Sequence, residues 1–462
     1  MAADSGVAQT RPGLAHATWQ LEAIELADGR RLEGLLVAPT SVSGTPAHDA
    51  GDIQFVQIIR QPGRPMHLVA WPSFPSTSVR FVERLTPVEH ARLQDRVEAF
   101  RGERRRQAEA ASIRLSRRGE EGPWQFDDVS FSLVSTADPS LTREAVVRLQ
   151  LTFDALESLV PPLGPASPVH VRLCGSVAEY RAAQDDAGLR LDNPAFYVPQ
   201  RRLLVTGSDL PALLQEQRAA EDKLDAARQR HLEHGSLLDE RLRQLATDLE
   251  ASGMPRGERI EIVRRARIRG MREQTEEIAR IEAARRANAA VVEQARRRFD
   301  ARLAHEAWHA YADGRLRSGT AGRLPAWLDE GLAQVIETAP LEAGELRLDA
   351  PDPERLAKVK HLIAAGGLMP VAEIVSSGQE AFLGGHGGDE AVAYLAAWAL
   401  AFDLAVLRPV LTPDRIVALS ASDEKDPITA FESLMNMPID RYDRQWRQRL
   451  LELRSRPVSP VP

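Results

Sequence analysis

The sequence predicts an α+β fold, and three observations carry that expectation. Short alternating apolar and polar runs are broken by tight turns before residue 85, a strand–helix–strand rhythm begins at Trp124, and a long stretch rich in Ala, Arg, Glu and Leu follows residue 210. A chain of 462 residues exceeds one ordinary core, so several folded parts are expected. Hydrophobic residues make up 43% and charged residues 27%, the balance of a globular chain and not of a disordered or collagenous one. The net charge is −7, and no basic segment is interleaved with aromatics, so nothing argues for a nucleic-acid partner.

Residues 1–17 are small and polar and read as a flexible tail. "LEAIELADGRRLEGLLVAPT" then alternates around Asp28-Gly29, the composition of a hairpin turn, and "GDIQFVQIIRQPGRPMHLVAWPS" repeats the pattern around Pro62-Gly63. Together they predict a small antiparallel, barrel-like β domain over residues 18–85. A helical connector is expected over 86–120: Thr86 suits an N-cap, Pro87 the first turn, and Glu89 completes a capping box. Over 121–210, "FDDVSFSLVST" reads as a strand and "SLTREAVVRLQLTFDALESLV" as a helix stopped by Pro161-Pro162. "VHVRLCG" and "RRLLVTG" read as two further strands.

Over 211–299, Leu238, Leu242, Leu245 and Leu249 recur with the spacing of a coiled-coil seam, and Ile278, Ile281 and Val292 offer an answering stripe. The break at "ASGMPRGE" folds two long helices into an antiparallel hairpin whose charges form its solvated face, with a protein partner as the alternative use of that surface. An unbroken second helix would carry "AHEAWHAY" on its last turns. Residues 300–345, including "LPAWLDEGLAQVIE", then read as two site-bearing helices, and 346–455 as a helical lobe interrupted by "LGGHGGDE". The lone Cys174 excludes an intrachain disulfide and reads as an apolar filler. No apolar run reaches the length of about 20 residues a membrane span needs, and the first residues lack a basic start with an apolar stretch. The chain therefore reads as soluble, without a signal peptide in the sequence given, and its compartment stays open.

The chemistry concentrates in His305-Glu306-Ala307-Trp308-His309. With 3.6 residues per turn, His305 and His309 project from one helix face and can share an ion, and neutral imidazole suits zinc. Glu306 points toward the side where a bound water would lie. A catalytic zinc wants three protein ligands and one open position, so one more ligand is needed. Twenty residues separate His309 from Glu330, which sits in "WLDEGLA" at the start of a helix able to cross the first.

"LAHEAWHAY" followed by "LPAWLDEGLAQVIE" resembles the gluzincin zinc metallopeptidases, and most closely the peptidase-MA-like bacterial proteins of the DUF1570 type. The resemblance is strong over 300–337 and extends in weaker form over 125–210 and 370–450. It implies a gluzincin-like core of small sheet and helical C-terminal lobe, with the hairpin as an insertion and the N-terminal β domain outside it. It further implies His305, His309 and Glu330 as zinc ligands and Glu306 as general base, the reaction being hydrolysis of a peptide or protein substrate by metal-activated water. Related enzymes take an oxyanion donor from a later helix. Tyr394 is the candidate, with His386 of "GGHGG" as its rival and the glycines there suiting a movable lid. Gln334 stands where some relatives place an acid that orients a ligand histidine; Asp329 reads equally as a surface carboxylate or a helper of the ligands, and Trp308 and Trp327 as an apolar wall. The alternative from another class is a non-catalytic assembly protein that docks partners through the hairpin and β domain and keeps a structural or vestigial zinc site.

Overall fold

The structure is a computed structural model, and it describes residues 19–37, 53–61, 64–74, 78–101, 110–117, 119–164, 168–191, 193–207, 209–316, 322–342, 345–382, 389–420 and 426–454. It is an α+β protein with two mixed sheets. Its contacts divide it into two compact units. One takes in the described residues up to Gly175, Tyr180–Thr206 and those from Asp300 on; the other takes in Ser176–Glu179 and Gly207–Phe299.

In the first unit, β1 (Glu22–Leu26), β2 (Arg31–Val37), β3 (Ile53–Ile59), β4 (His67–Phe74) and β5 (Val79–Glu83) form the expected antiparallel sheet. The Asp28-Gly29 turn is where the alternation placed it, with Gly29 at φ 88°, a conformation that favours glycine. Pro62-Gly63 lies outside the described residues. The second sheet runs in the order β10 (Ala195–Val198), β11 (Leu203–Thr206), β9 (Val169–Leu173), β8 (Phe131–Ser135), β7 (Trp124–Asp127), β6 (Ser116–Arg117). One strand was expected in "FDDVSFSLVST", but the segment "WQFDDVSFSLVS" forms the antiparallel pair β7 and β8, because Asp128 accepts from Ser130 N and turns the chain.

Two expectations about the N-terminal region are corrected. The first sheet is not a barrel, and it does not end at residue 85. β13 (Glu345–Arg347) pairs parallel with β4 and β12 (Leu341–Glu342) pairs with β13, giving an open seven-stranded sheet with β12 and β5 at its edges. The helix Pro87–Phe100 is also more than a connector. Thr86 and Glu89 form the capping box, and Leu93, Val97 and Phe100, spaced for one helical face, pack on Leu35, Val56, Ile58, Met66 and Leu68 of the sheet.

A buried polar network ties the two sheets to the helix Pro139–Leu159. Asp154 of that helix accepts from Gln61 and Arg64 and faces His67 Nδ1 at 2.6 Å, while Arg64 also pairs with Asp128, which takes Gln150 Nε2 at 2.9 Å. An aromatic ladder then leads from the second sheet toward the site: Phe131 on Phe153, Phe153 on Tyr311, Tyr311 on Trp308.

The C-terminal residues are helical as expected, after the two short strands that the sequence did not announce. Their core holds a fully buried Asp403, gripped by Arg449 at 2.9 and 2.8 Å and by the Tyr442 hydroxyl at 2.6 Å. Removing one charge from such a pair strands the other, at a cost of roughly 3–5 kcal/mol for full burial. Arg449 retains 28% side-chain exposure, so the lower end applies. Asp403→Asn is expected to lower the melting temperature by several degrees, read by differential scanning calorimetry.

In the second unit, Leu210–Ser236, Leu238–Ala251 and the early part of the 56-residue helix Arg256–Tyr311 form the antiparallel hairpin. The pairs Arg285–Glu221, His231–Glu277, Arg267–Asp239 and Arg259–Glu250 fix the register, one number rising as its partner falls. Leu242, Ile281 and Val292 are buried, as the seam predicted. Gly253, at φ 73°, makes the expected break. Among the described residues no helix is long and apolar enough to cross a membrane.

Candidate metal centre

The helix Arg256–Tyr311 delivers His305 and His309 on its last turns. There Ala304, Ala307 and Ala310 are fully buried small residues that let neighbouring elements approach. The helix ends in a π-turn at Ala312–Leu316, and the Tyr311 hydroxyl donates to Val160 O at 2.5 Å, fixing its end against the first unit's core.

Glu330 comes from the helix Ala326–Thr338, which packs against Asp389–Phe402. Gly331 explains how closely. A Cβ there would lie 2.5 Å from Ala397 O and 2.8 Å from Ala401 Cβ, so the glycine after Glu330 is a packing requirement.

The two Nε2 atoms of His305 and His309 stand 3.3 Å apart, and Glu330 approaches each at 3.7 Å through different oxygens. One ligand atom from each of the three lies within 4.8 Å of the other two, a group able to hold a metal ion. The outward ring nitrogens are also engaged: His305 Nδ1 lies 2.8 Å from Glu337, and His309 Nδ1 lies 3.5 Å from Asp329. Carboxylates placed there fix the tautomer that turns each Nε2 lone pair inward. Asp329 is itself held by the Trp308 indole N–H at 2.7 Å. Trp308 is therefore a donor as well as a wall, whereas Trp327 is buried against Phe431.

Charge follows this geometry. Burial opposes a charged His309, but Asp329, Glu330 and Glu306 outweigh it and raise the ring to about 9. Burial also opposes the Glu337 carboxylate, yet its hydrogen bond to His305 and the nearby Arg355 and Arg302 hold it down at about 2. Glu330 is raised, burial outweighing the two histidines.

Glu306 is buried beside His309 in the wall of a cavity of about 200 Å³, whose lining also includes Tyr197, Asp313, Arg323 and Gln379. Arg302, one turn earlier, lies 3.0 Å from one Glu306 oxygen.

The structure brings His305, Glu306, His309 and Glu330 together. The Tyr394 hydroxyl donates to Phe382 O, and its ring packs edge-on against Phe382. His386 lies outside the described residues. Gln334 does not orient a histidine; its amide donates to Tyr394 O at 3.2 Å and its oxygen accepts from Arg355. Glu337 does that work instead, and seven residues after Glu330 it shares that residue's helix face, a spacing the sequence displays. Asp329 was legible only as an acid of two possible uses. No family model, no curated protein and no solved structure matches this chain.

Proposed function

We propose that this chain is a zinc-dependent metallopeptidase of gluzincin type. The observation that carries the reading is the convergence of two imidazoles and a carboxylate whose outer nitrogens are already held by Asp329 and Glu337, beside a cavity walled by Glu306. The donor set fits zinc. Two ligands of a tetrahedral zinc at roughly 2.0–2.1 Å stand roughly 3.3–3.4 Å from each other. The imidazole nitrogens are 3.3 Å apart.

His305, His309 and Glu330 would hold the ion, which when bound makes water more acidic and polarises a carbonyl. Glu306 accepts the proton of a water whose oxygen adds to the amide carbon, then returns it to the nitrogen as the C–N bond breaks. Arg302 keeps one Glu306 oxygen fixed, so that the carboxylate stays in one orientation. Asp329 and Glu337 keep both rings from turning. The test is direct: protein purified without added zinc should carry about one zinc per chain, and should cleave a quenched peptide library in a reaction that a chelator stops.

Proton and metal compete for the same lone pairs, and this sets a pH dependence. His309, raised from 6.5 to about 9, stabilises the metal-free fold fully below 6.5 and loses that contribution as pH rises through about 9. Glu337, lowered from 4.5 to about 2, contributes fully above 4.5 and loses it as pH falls through about 2. The melting temperature of chelator-treated protein is expected to fall between pH 6.5 and 9, and added zinc to stabilise more at pH 9 than at pH 6.5.

A second reading has one observation in its favour: Ile260, Ile268, Met271 and Val291 of the hairpin are exposed, as on an association surface. In that reading the hairpin docks a partner and the metal site is structural. Replacing residues 215–298 by a short turn separates the two, since a peptidase keeps its metal and a docking protein loses its partner.

A further inference from the structure

We propose that Tyr197 is a catalytic residue of this site, donating a hydrogen bond to the carbonyl oxygen of the scissile amide as that oxygen becomes negative. This rests on the peptidase reading above.

The chain has five tyrosines, and the structure says where each hydroxyl goes. Tyr180 donates to Asn193 O, Tyr311 to Val160 O and Tyr394 to Phe382 O, all backbone carbonyls fixed by the fold. Tyr442 is committed to Asp403 in a buried charge pair. Tyr197 also donates to a carboxylate, Asp313 Oδ2, at 2.9 Å, but this pair lines the cavity shared with Glu306 and His309.

Strand alternation puts it there. On β10, Phe196 turns into the core formed by Cys174, Tyr180, Ala183 and Val205, with Val198 packed on the same cluster. Tyr197, between them, faces the opposite way, toward the cavity. β10 is the edge strand of its sheet. Asp313 belongs to the π-turn that ends the helix bearing His305 and His309, so its bond ties Tyr197 to the element that carries the two histidines. Burial, followed by Asp313, pushes the phenol pKa up, so the hydroxyl remains a donor throughout the neutral range.

The choice of acceptor gives the interaction its selectivity. A neutral amide carbonyl is a weaker acceptor than the Asp313 carboxylate and does not capture the hydroxyl from it. When the water oxygen bonds to the carbonyl carbon, Glu306 takes the water proton and the C=O π pair moves onto oxygen, which then competes with Asp313 on equal charge. The Tyr197 O–H bond stays intact throughout; only its acceptor changes. When the C–N bond breaks, the pair returns to the carbonyl and the hydroxyl to Asp313. An interaction made only with the developing anion raises kcat and leaves KM alone.

Tyr197→Phe removes this donor without changing the ring. On a fluorogenic peptide kcat is expected to fall about 10²–10³-fold with KM close to wild type. Affinity for a phosphinic peptide, a tetrahedral anion, should fall as well when measured by calorimetry on zinc-loaded protein. Zinc content and melting temperature should match wild type. Unchanged kcat and unchanged phosphinic affinity would overturn the assignment while leaving the peptidase reading intact. A kcat loss accompanied by equal loss of zinc or of folded protein would make Tyr197 structural and overturn it too. If zinc-loaded wild type neither cleaves peptides nor binds the phosphinic peptide, the peptidase reading fails and takes this proposal with it.

Discussion

Glu306→Gln is expected to lower peptide hydrolysis by roughly 10²–10⁴-fold, the usual contribution of a general base, while zinc content stays at the wild-type level. The two halves of this result come from different atoms. The group able to hold a metal consists of the Nε2 atoms of His305 and His309 and the Glu330 carboxylate, and Glu306 is not among them. It lines the cavity next to His309, where the proposed reaction takes a proton from water. Glutamine keeps the shape and buried position of the side chain but cannot accept that proton. It also removes the charge facing Arg302 in an i,i+4 pair, but Arg302 keeps the Glu337 carboxylate nearby and 22% side-chain exposure, so the melting temperature should drop only slightly. The measurements are metal content by plasma mass spectrometry and kcat/KM on a fluorogenic peptide. Hydrolysis at the wild-type rate in this variant would remove Glu306 from the mechanism.

What the sequence displayed and what it concealed divide along the range of the interactions. The histidine pair, its adjacent acid and the capping box of Pro87–Phe100 are local patterns with a helical period, and the structure has them in place. The hairpin was legible because leucines and isoleucines mark a seam and the break around Gly253 marks the turn. The pairing of β13 with β4 was not. Glu345–Arg347 is three residues long and meets Leu68, Val69 and Ala70 far back in the chain, and no local pattern announces a strand so short. The same holds for β10, four residues lying between Pro194 and Pro199. Tyr394 sits on an apolar helix in a suitable sequence position, yet which carbonyl its hydroxyl meets depends on how Phe382 is placed, a tertiary fact. Tyr197 was missed for the converse reason: its neighbours in sequence carry no chemistry, and only the fold brings Asp313 to it.

His309→Ala is expected to abolish stoichiometric zinc and, with it, hydrolysis. His309 loses its Nε2 donor at the point where His305 and Glu330 converge, and two remaining protein ligands do not make a catalytic zinc site. Glu337→Gln is the informative companion. It leaves all three donors in place but exchanges a charged acceptor at His305 Nδ1 for a neutral one, so zinc affinity should weaken about 10–100-fold without vanishing. Glu306→Gln should leave zinc unchanged. Competition with a chromogenic chelator reads all three on one scale. If His305 and His309 were only half-buried polar residues of a charged helix, none of these substitutions would alter metal content, since there would be none to lose. A graded order, with His309→Ala below Glu337→Gln and Glu337→Gln below Glu306→Gln, follows only from a cation held by the Nε2 atoms and by the carboxylate of Glu330. It would also separate ligand, orienting and proton-accepting roles within 33 residues of the chain, His305 and Glu337 marking their limits, without relying on activity for the first two.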